Sequence, residues 1–427
     1  MGLFKWLYPG MRVKRWILLC CFGVILCSMG FVLAINEAQR TSGSLVVLLG
    51  TGLVAVSIRK IIKSVVTVLL PQRENELVNI IYQKRYLERG PRIVVIGGGS
   101  GLPVLLHGLK EFTSNITAIV TVADDGGSSG RLRSQFNIPP PGDIRNCLVA
   151  LADAESLMSD LFQFRFRESS ELEGHSFGNL FILAMLKVTG DFEKAIRESS
   201  KILAIRGRVV PSTLKTVTLV AQHKDGNVTA GESNISKGRS PIQRLYLKPE
   251  GCAAAEDAIH AIQNAEAIVI GPGSLYTSLI PNLLIEDLSN ALALSMVPKI
   301  YVCNVMTQPH ETDRFTAFDH ANTIIEHSRP EVLSHVIVNT GQIPPNILSK
   351  YAKEEAFPVA ADLAKIRMLG YTVIEDNIVN FQDTVRHNPR RVSKIILDIM
   401  NDSKNKNKAQ IARMRRNSEG RFKEVLR

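Results

Sequence analysis

Two long apolar runs open the chain, and short β-branched runs alternating with helix-spaced leucines fill most of the rest. Trp16 to Ile35 carries no charge over twenty residues, and Ser44 to Ile62 is a second apolar stretch ending in Arg59 and Lys60. Runs of this length are what a bilayer-crossing helix needs. Further on, Arg92–Ile96 and Ile116–Val122 read as buried parallel strands, because both faces of such strands are covered. Leu102, Leu105, Leu106 and Leu109 recur at helical spacing between them. The same alternation returns in Leu148–Leu151, Ala267–Ile270, Leu275–Leu283, Lys299–Val305 and Val332–Asn339. Strands alternating with helices predict a Rossmann-like α/β domain with a doubly wound, mostly parallel sheet over residues 91–400.

The two apolar runs predict a transmembrane hairpin, with helices at 16–35 and 44–62 and the polar turn Asn36–Gly43 between them. A cleaved signal peptide fits poorly, since no small-x-small site follows the first run and a second run comes at once. Lys5, Arg12, Lys14 and Arg15 lie in the basic segment 1–15, and Arg59, Lys60, Lys63 and Arg73 close the second run. The turn carries Arg40 alone. This charge bias places both termini, and the large domain, on the cytoplasmic side of the inner (plasma) membrane. Residues 63–90 read as a juxtamembrane connector, in which Leu77, Ile80, Ile81 and Leu87 predict a short amphipathic helix stopped by Gly90-Pro91.

Charge changes the picture only at the other end. The formal net charge is +11, and residues 401–427 hold nine Lys/Arg against three Asp/Glu. That basic tail calls for an acidic surface, with lipid headgroups expected rather than a specific nucleic acid. Ser418 follows Arg415 and Arg416 there, and phosphate on it would cut the positive charge. The six cysteines form no CxxC pair and no disulfide framework, which fits a reducing compartment.

The candidate chemistry lies where predicted strands end. Gly97-Gly98-Gly99-Ser100-Gly101 links a strand to a helix, the arrangement that points backbone N–H groups at a phosphate. It lacks the Gly-Lys-Ser/Thr of a Walker loop, and the GxGxxG spacing fails at Leu102 and at Val104, which demotes NAD. The second strand runs into Asp124, Asp125, Gly127, Ser128, Ser129 and Arg131. These can take hydroxyls, a divalent ion or phosphate. Asp143 reads either as a helix N-cap or as a site carboxylate. Arg145 and Asn146 follow it as anion-binding candidates, and His175 and Asn179 sit in another polar turn. Gly273 and Ser274 form a second glycine turn after a strand. His310, Glu311, Asp313, Asp319 and His320 lack the spacing of a zinc site.

GGGSGLPVLLHGL (97–109), TVADDGGSSGRLR (121–133), PPPGDIRN (139–146), GHSFGN (174–179), GPGSLYTSLIPNL (271–283) and CNVMTQPHETD (303–313) together resemble the bacterial gluconeogenesis factor family. These YvcK-type proteins are similar to the CofD-like 2-phospho-L-lactate transferases. The resemblance implies a CofD-like fold and UDP-N-acetylglucosamine as ligand. It also implies a regulatory role coupling carbon supply, during gluconeogenic growth, to cell-wall precursor synthesis and cell shape. It further implies contact with an enzyme of amino-sugar synthesis, and an oligomer is expected. Tyr351 and Arg386 match the tyrosine and arginine implicated in UDP-sugar binding, one to stack on uracil and one to meet diphosphate. Position 310 is His where the family usually has Gly.

Two classes of function therefore stand beside each other. One is a non-catalytic nucleotide-sugar sensor. The alternative is a phospholactyl-type group transferase, with Asp124 or Asp125 holding Mg²⁺ as the enzyme relatives do.

Overall fold

The computed structural model describes residues 14–35, 39–69, 85–153, 156–167, 171–238, 240–381 and 384–425. The expected connector helix lies mostly outside these residues. The chain forms two compact units, Met1–Arg85 and Tyr86–Arg427.

The first unit is a helical hairpin of α1 (Lys14–Ile35) and α2 (Arg40–Leu69). Its seam is made of small residues. Gly23 faces the Gly50 carbonyl and Val54, and Gly30 faces the Gly43 carbonyl and Val47. Absent side chains let the two backbones approach closely, the packing expected where lipid supplies no hydrophobic drive. The large apolar side chains point outward: Phe22, Ile25, Phe31, Val32, Leu45 and Leu48 are all exposed. Both helices are long and apolar enough to cross a membrane.

The second unit is built on a seven-stranded sheet. Its strands are β1 (Ile93–Gly97), β2 (Ile116–Val120), β3 (Arg208–Pro211), β7 (Ala267–Ile270), β8 (Lys299–Val302), β9 (His335–Asn339) and β10 (Thr372–Asp376). They lie in the order β10-β9-β8-β7-β1-β2-β3, and every neighbouring pair is parallel. Every residue of β1, β2, β7 and β8 is buried, which explains why their sequences are apolar apart from Thr117 and Lys299. The predicted strand at 116–122 stops two residues earlier, at Val120, and that at 332–339 begins at His335.

The sequence did not signal two small antiparallel additions. One joins β4 (Thr218–His223), β5 (Val228–Ala230) and β6 (Ile242–Lys248). The other pairs β11 (Val379–Phe381) with β12 (Val385–His387).

The chain winds outward from β1 through β2 to β3, then returns to β7 on the other side of β1. Strand order reverses between β1 and β7, the switch point at whose carboxyl ends sheets of this kind form a ligand crevice. Around it stand α3 (Gly101–Leu109), α4 (Gly127–Phe136), α5 (Gly142–Leu151) and α6 (Phe177–Thr189). Farther along lie α7 (Pro345–Lys353) and α8 (Pro389–Val425), the latter running through position 400 without a break. Val392, Ile395, Ile396, Ile399 and Met400 of α8 are buried in the core.

Ile396→Ala should therefore cost about 2–5 kcal/mol, whereas Lys408→Ala, on an exposed part of the same helix, should stay within about 0.5 kcal/mol. Urea unfolding of the purified variants measures both.

Candidate functional site

The two glycine turns meet at the floor of the crevice. A β-carbon on Gly101 would sit 2.7 Å from the Pro272 carbonyl, so only glycine lets α3 begin there. Gly99 takes φ +64°, and its N–H donates to Asp143 Oδ2 at 2.7 Å. The glycine loop thus engages a carboxylate of its own chain at one of the groups expected to face phosphate. Gly98 packs against the same carboxylate and Thr121. Ser100 is the N-cap of α3 but gives the helix no side-chain hydrogen bond. Gly126 caps α4 and Pro141 caps α5, again without a side-chain bond.

Three helix N-termini that lack side-chain caps are thereby gathered, since Ser129 and Asp124 lie against Gly142, and Asp143 against Gly99. Together they form a positive pole for an anion.

The carboxylates divide the work. Asp124 accepts from Gly126 N–H at 2.9 Å and shapes its own loop. Asp125 accepts from the N–H and hydroxyl of Ser233, at 2.9 and 2.8 Å, which ties the loop to the short helix Glu232–Ile235. Asp143 is both partner of the glycine loop and first-turn residue of α5. Burial raises its carboxyl to about 6, against the pull of the Gly99 N–H, with Asp124 adding repulsion. Glu232 is pushed up to about 8 by burial, then by Asp124, Asp143 and Asp125. Buried Glu311 is raised by desolvation, and Ser274 donates to its Oε2 at 2.6 Å. Thr277 in turn donates to Ser274 at 2.7 Å. Gly273 packs beside Gly98 and Ser278, joining the second turn to the first.

A second cluster borders α4. Asn179 donates to Ser128 Oγ at 3.0 Å, and Ser128 lies 3.0 Å from His175 Nδ1. Burial, then Arg131, lowers the His175 pKa. Arg145 is buried and already occupied: it donates to Ser176 and to Asn146 Oδ1, while its Nε has no partner. Burial, then Arg165, brings its pKa to about 10. Arg131, more exposed, donates to the Glu173 carbonyl at 2.5 Å.

Tyr351 and Arg386 form a separate group. Tyr351 is half-buried among Val305, Ile347 and Val379, and its hydroxyl accepts from Val385 N–H at 2.9 Å. Arg386, exposed on β12, donates to Thr384. His387 Nε2 lies 3.0 Å from the Cys303 carbonyl, so β12 is held over the carboxyl end of β8, on the same side of the sheet as the glycine turns.

Glu232 and Glu311 are what sequence reasoning missed at this site. Glu232 stands in an unremarkable GESN segment, and Glu311 stands in a run whose local spacing suggests at most a metal ligand. Among the described residues no three His, Cys, Asp or Glu side chains are grouped to hold a metal. His310 takes φ +69°, the left-handed region in which glycine is at ease.

The profile of a family described as "2-phospho-L-lactate transferase CofD" matches residues 93–379. A protein named gluconeogenesis factor from Bacillus subtilis is 46% identical over 73% of this chain and 99% of its own length. A putative gluconeogenesis factor from Nostoc is also 46% identical, over 92% of both chains. The chain belongs to the gluconeogenesis factor family. A crystal structure of a UPF0052-family protein from Bacillus halodurans, at 2.60 Å resolution, superposes with a TM-score of 0.70 at 47% identity, covering 72% of this chain and 99% of that one. Some family members thus consist almost wholly of the sheet domain, which folds alone. The Nostoc match covers too much of this chain to be confined to Tyr86–Arg427, so it reaches into the N-terminal unit.

Asp143 and Glu232 hold protons in the fold that the unfolded chain releases at lower pH. Stability should fall as pH rises from about 4.5, the ordinary glutamate range, towards the Glu232 value of about 8. Glu232→Gln should flatten the upper part of that fall, above the Asp143 value of about 6, in urea unfolding of residues 86–427.

Proposed function

We propose that this protein is a membrane-tethered regulator of gluconeogenic growth that binds a UDP-sugar, UDP-N-acetylglucosamine, in the switch-point crevice. On this reading it couples carbon supply to cell-wall precursor synthesis and cell shape, through contact with an enzyme of amino-sugar synthesis. Family membership supports the regulatory role. The observation that carries the ligand is the meeting of three helix N-termini without side-chain caps at two glycine turns. Diphosphate suits that positive pole. The carboxylates beside it suit sugar and ribose hydroxyls, and Tyr351, for uracil, and Arg386, for the diphosphate, lie on the same side of the sheet.

A second reading, a Mg²⁺-dependent phospholactyl-type transferase, draws on a different observation. Asp124, Asp143, Asp125 and Glu311 each repel a charge on Glu232, which a divalent ion would relieve, although among the described residues no three of these side chains are grouped to hold one.

The tether rests on the hairpin. Twenty-two residues of α1 reach about 33 Å, enough to cross a bilayer core. Trp16 has Arg15 and Lys60 over its ring, at 5.7 and 5.6 Å, so the start of the first helix and the end of the second share one basic, aromatic end. Such an end faces the cytoplasm.

Titration of UDP-N-acetylglucosamine into residues 86–427 should give saturable binding of about −8 kcal/mol, the micromolar range, weakened by Tyr351→Ala and by Arg386→Ala. No binding, with turnover of a phospholactyl donor in Mg²⁺, would favour the transferase. In cell fractionation the full chain should enter the membrane pellet and residues 86–427 the soluble fraction. A full chain found soluble removes the tether.

A further inference from the structure

The sheet domain has a second pole, at the amino-terminal ends of its strands and opposite the crevice. One carboxylate organises it. Glu266, immediately before β7, accepts the Arg92 N–H on Oε2 at 2.9 Å and the Lys404 ammonium on Oε1 at 2.6 Å. Arg92 immediately precedes β1, and Lys404 lies where α8 leaves the core. The chain therefore enters the domain and begins its tail side by side.

The exposed surface here mixes charges, with Asp257 lining the same hollow as Arg92 and Arg208, and the excess of positive charge comes from the helix that leaves it. Arg92 and Arg208 stand at the amino ends of β1 and β3. Lys406 is near enough to His335, at the start of β9, to disfavour its charged form. Met400 is the last α8 residue buried in the core. After it the helix continues to Val425, within a segment holding nine Lys/Arg against three Asp/Glu. A continuous helix keeps such charges from dispersing as a loose tail would.

We propose that this amino pole and the basic helix form a docking face for anionic phospholipid headgroups, leaving the crevice turned toward the cytoplasm. Charge complementarity argues for an acidic surface. The choice of lipid over nucleic acid rests on the reading of α1 and α2 as a membrane hairpin. That hairpin would tether the domain to a bilayer. Attraction of this kind is individually weak and screened beyond about 8–10 Å at physiological salt. Tethering supplies the effective concentration that makes it count.

The test uses residues 86–427, without the hairpin, in vesicle flotation. The fragment should float with phosphatidylcholine vesicles holding about a third phosphatidylglycerol, a strongly anionic surface, and not with phosphatidylcholine alone. Flotation should be lost in about 0.5 M salt, where the Debye length is only a few ångströms. It should fall at least about tenfold, worth about 1.4 kcal/mol, when Lys406, Lys408, Arg413, Arg415 and Arg416 are all replaced by Gln. An unchanged melting temperature would show that this variant is folded. Equal flotation of parent and variant, flotation indifferent to anionic lipid, or none at all would overturn the proposal. So would duplex DNA stripping the fragment from anionic vesicles at matched charge concentration. Fractionation of the full chain reads the tether separately. A soluble full chain with a lipid-binding fragment would leave the docking face standing and remove the hairpin reading.

Discussion

The crevice exists because Gly101 rests on the carbonyl of Pro272. Any side chain at that position would separate the two turns that follow β1 and β7. Strand order reverses between those strands, so no crossover helix covers the gap. What remains is a groove whose floor is backbone and whose walls are helix N-termini. Ser274, Thr277 and Glu311 extend one wall, and Asp124, Asp143 and Glu232 the other. The remaining contacts around the site are means of holding these pieces in register, such as the Asp125–Ser233 bonds that bring the small antiparallel sheet to the rim.

The electrostatics of the groove are balanced rather than one-sided. Helix N-termini favour negative charge, and their partial charges act over the first turn. Asp143 takes advantage of this by binding the Gly99 N–H. Yet the carboxylates also crowd one another, and burial lifts both Asp143 and Glu232 well above ordinary acids. Such a groove is poised for a ligand with both anionic and hydroxyl groups, or for a cation that bridges carboxylates and phosphate. A simple basic phosphate pocket would look different, and its arginines would be free. Here Arg145 is buried and tied to Ser176 and Asn146.

The two ends of the sheet are chemically distinct. Carboxylates and glycines collect at the carboxyl pole, and the entry of the chain into the domain and the start of its basic helix meet at the amino pole. Parallel strands make this separation possible, since all their loops of one kind emerge on one side.

Much of this was legible along the chain. The apolar runs at 16–35 and 44–62, the strands that become β1, β2, β7, β8 and β9, and the glycine turns after β1 and β7 all carry local signals. Charge-free length, β-branched runs and glycine punctuation are properties of neighbouring residues. The six collinear motifs went further and pointed to the family itself. Other features had no local signature. The strands β4–β6 and β11–β12 pair with near neighbours in the chain, yet their mixed polar and apolar residues carry no clear strand pattern. Glu232 becomes a site residue only because Asp125 holds Ser233 from more than a hundred positions away. The Tyr351 hydroxyl is committed to Val385, and the Arg145 guanidinium to Ser176, which residue type alone does not reveal. Local sequence determined which elements form and which turns must be glycine, because backbone preference and periodicity act over a few residues. The tertiary structure decided which polar groups face one another, because burial and hydrogen-bond partnership are set by segments that only folding brings together.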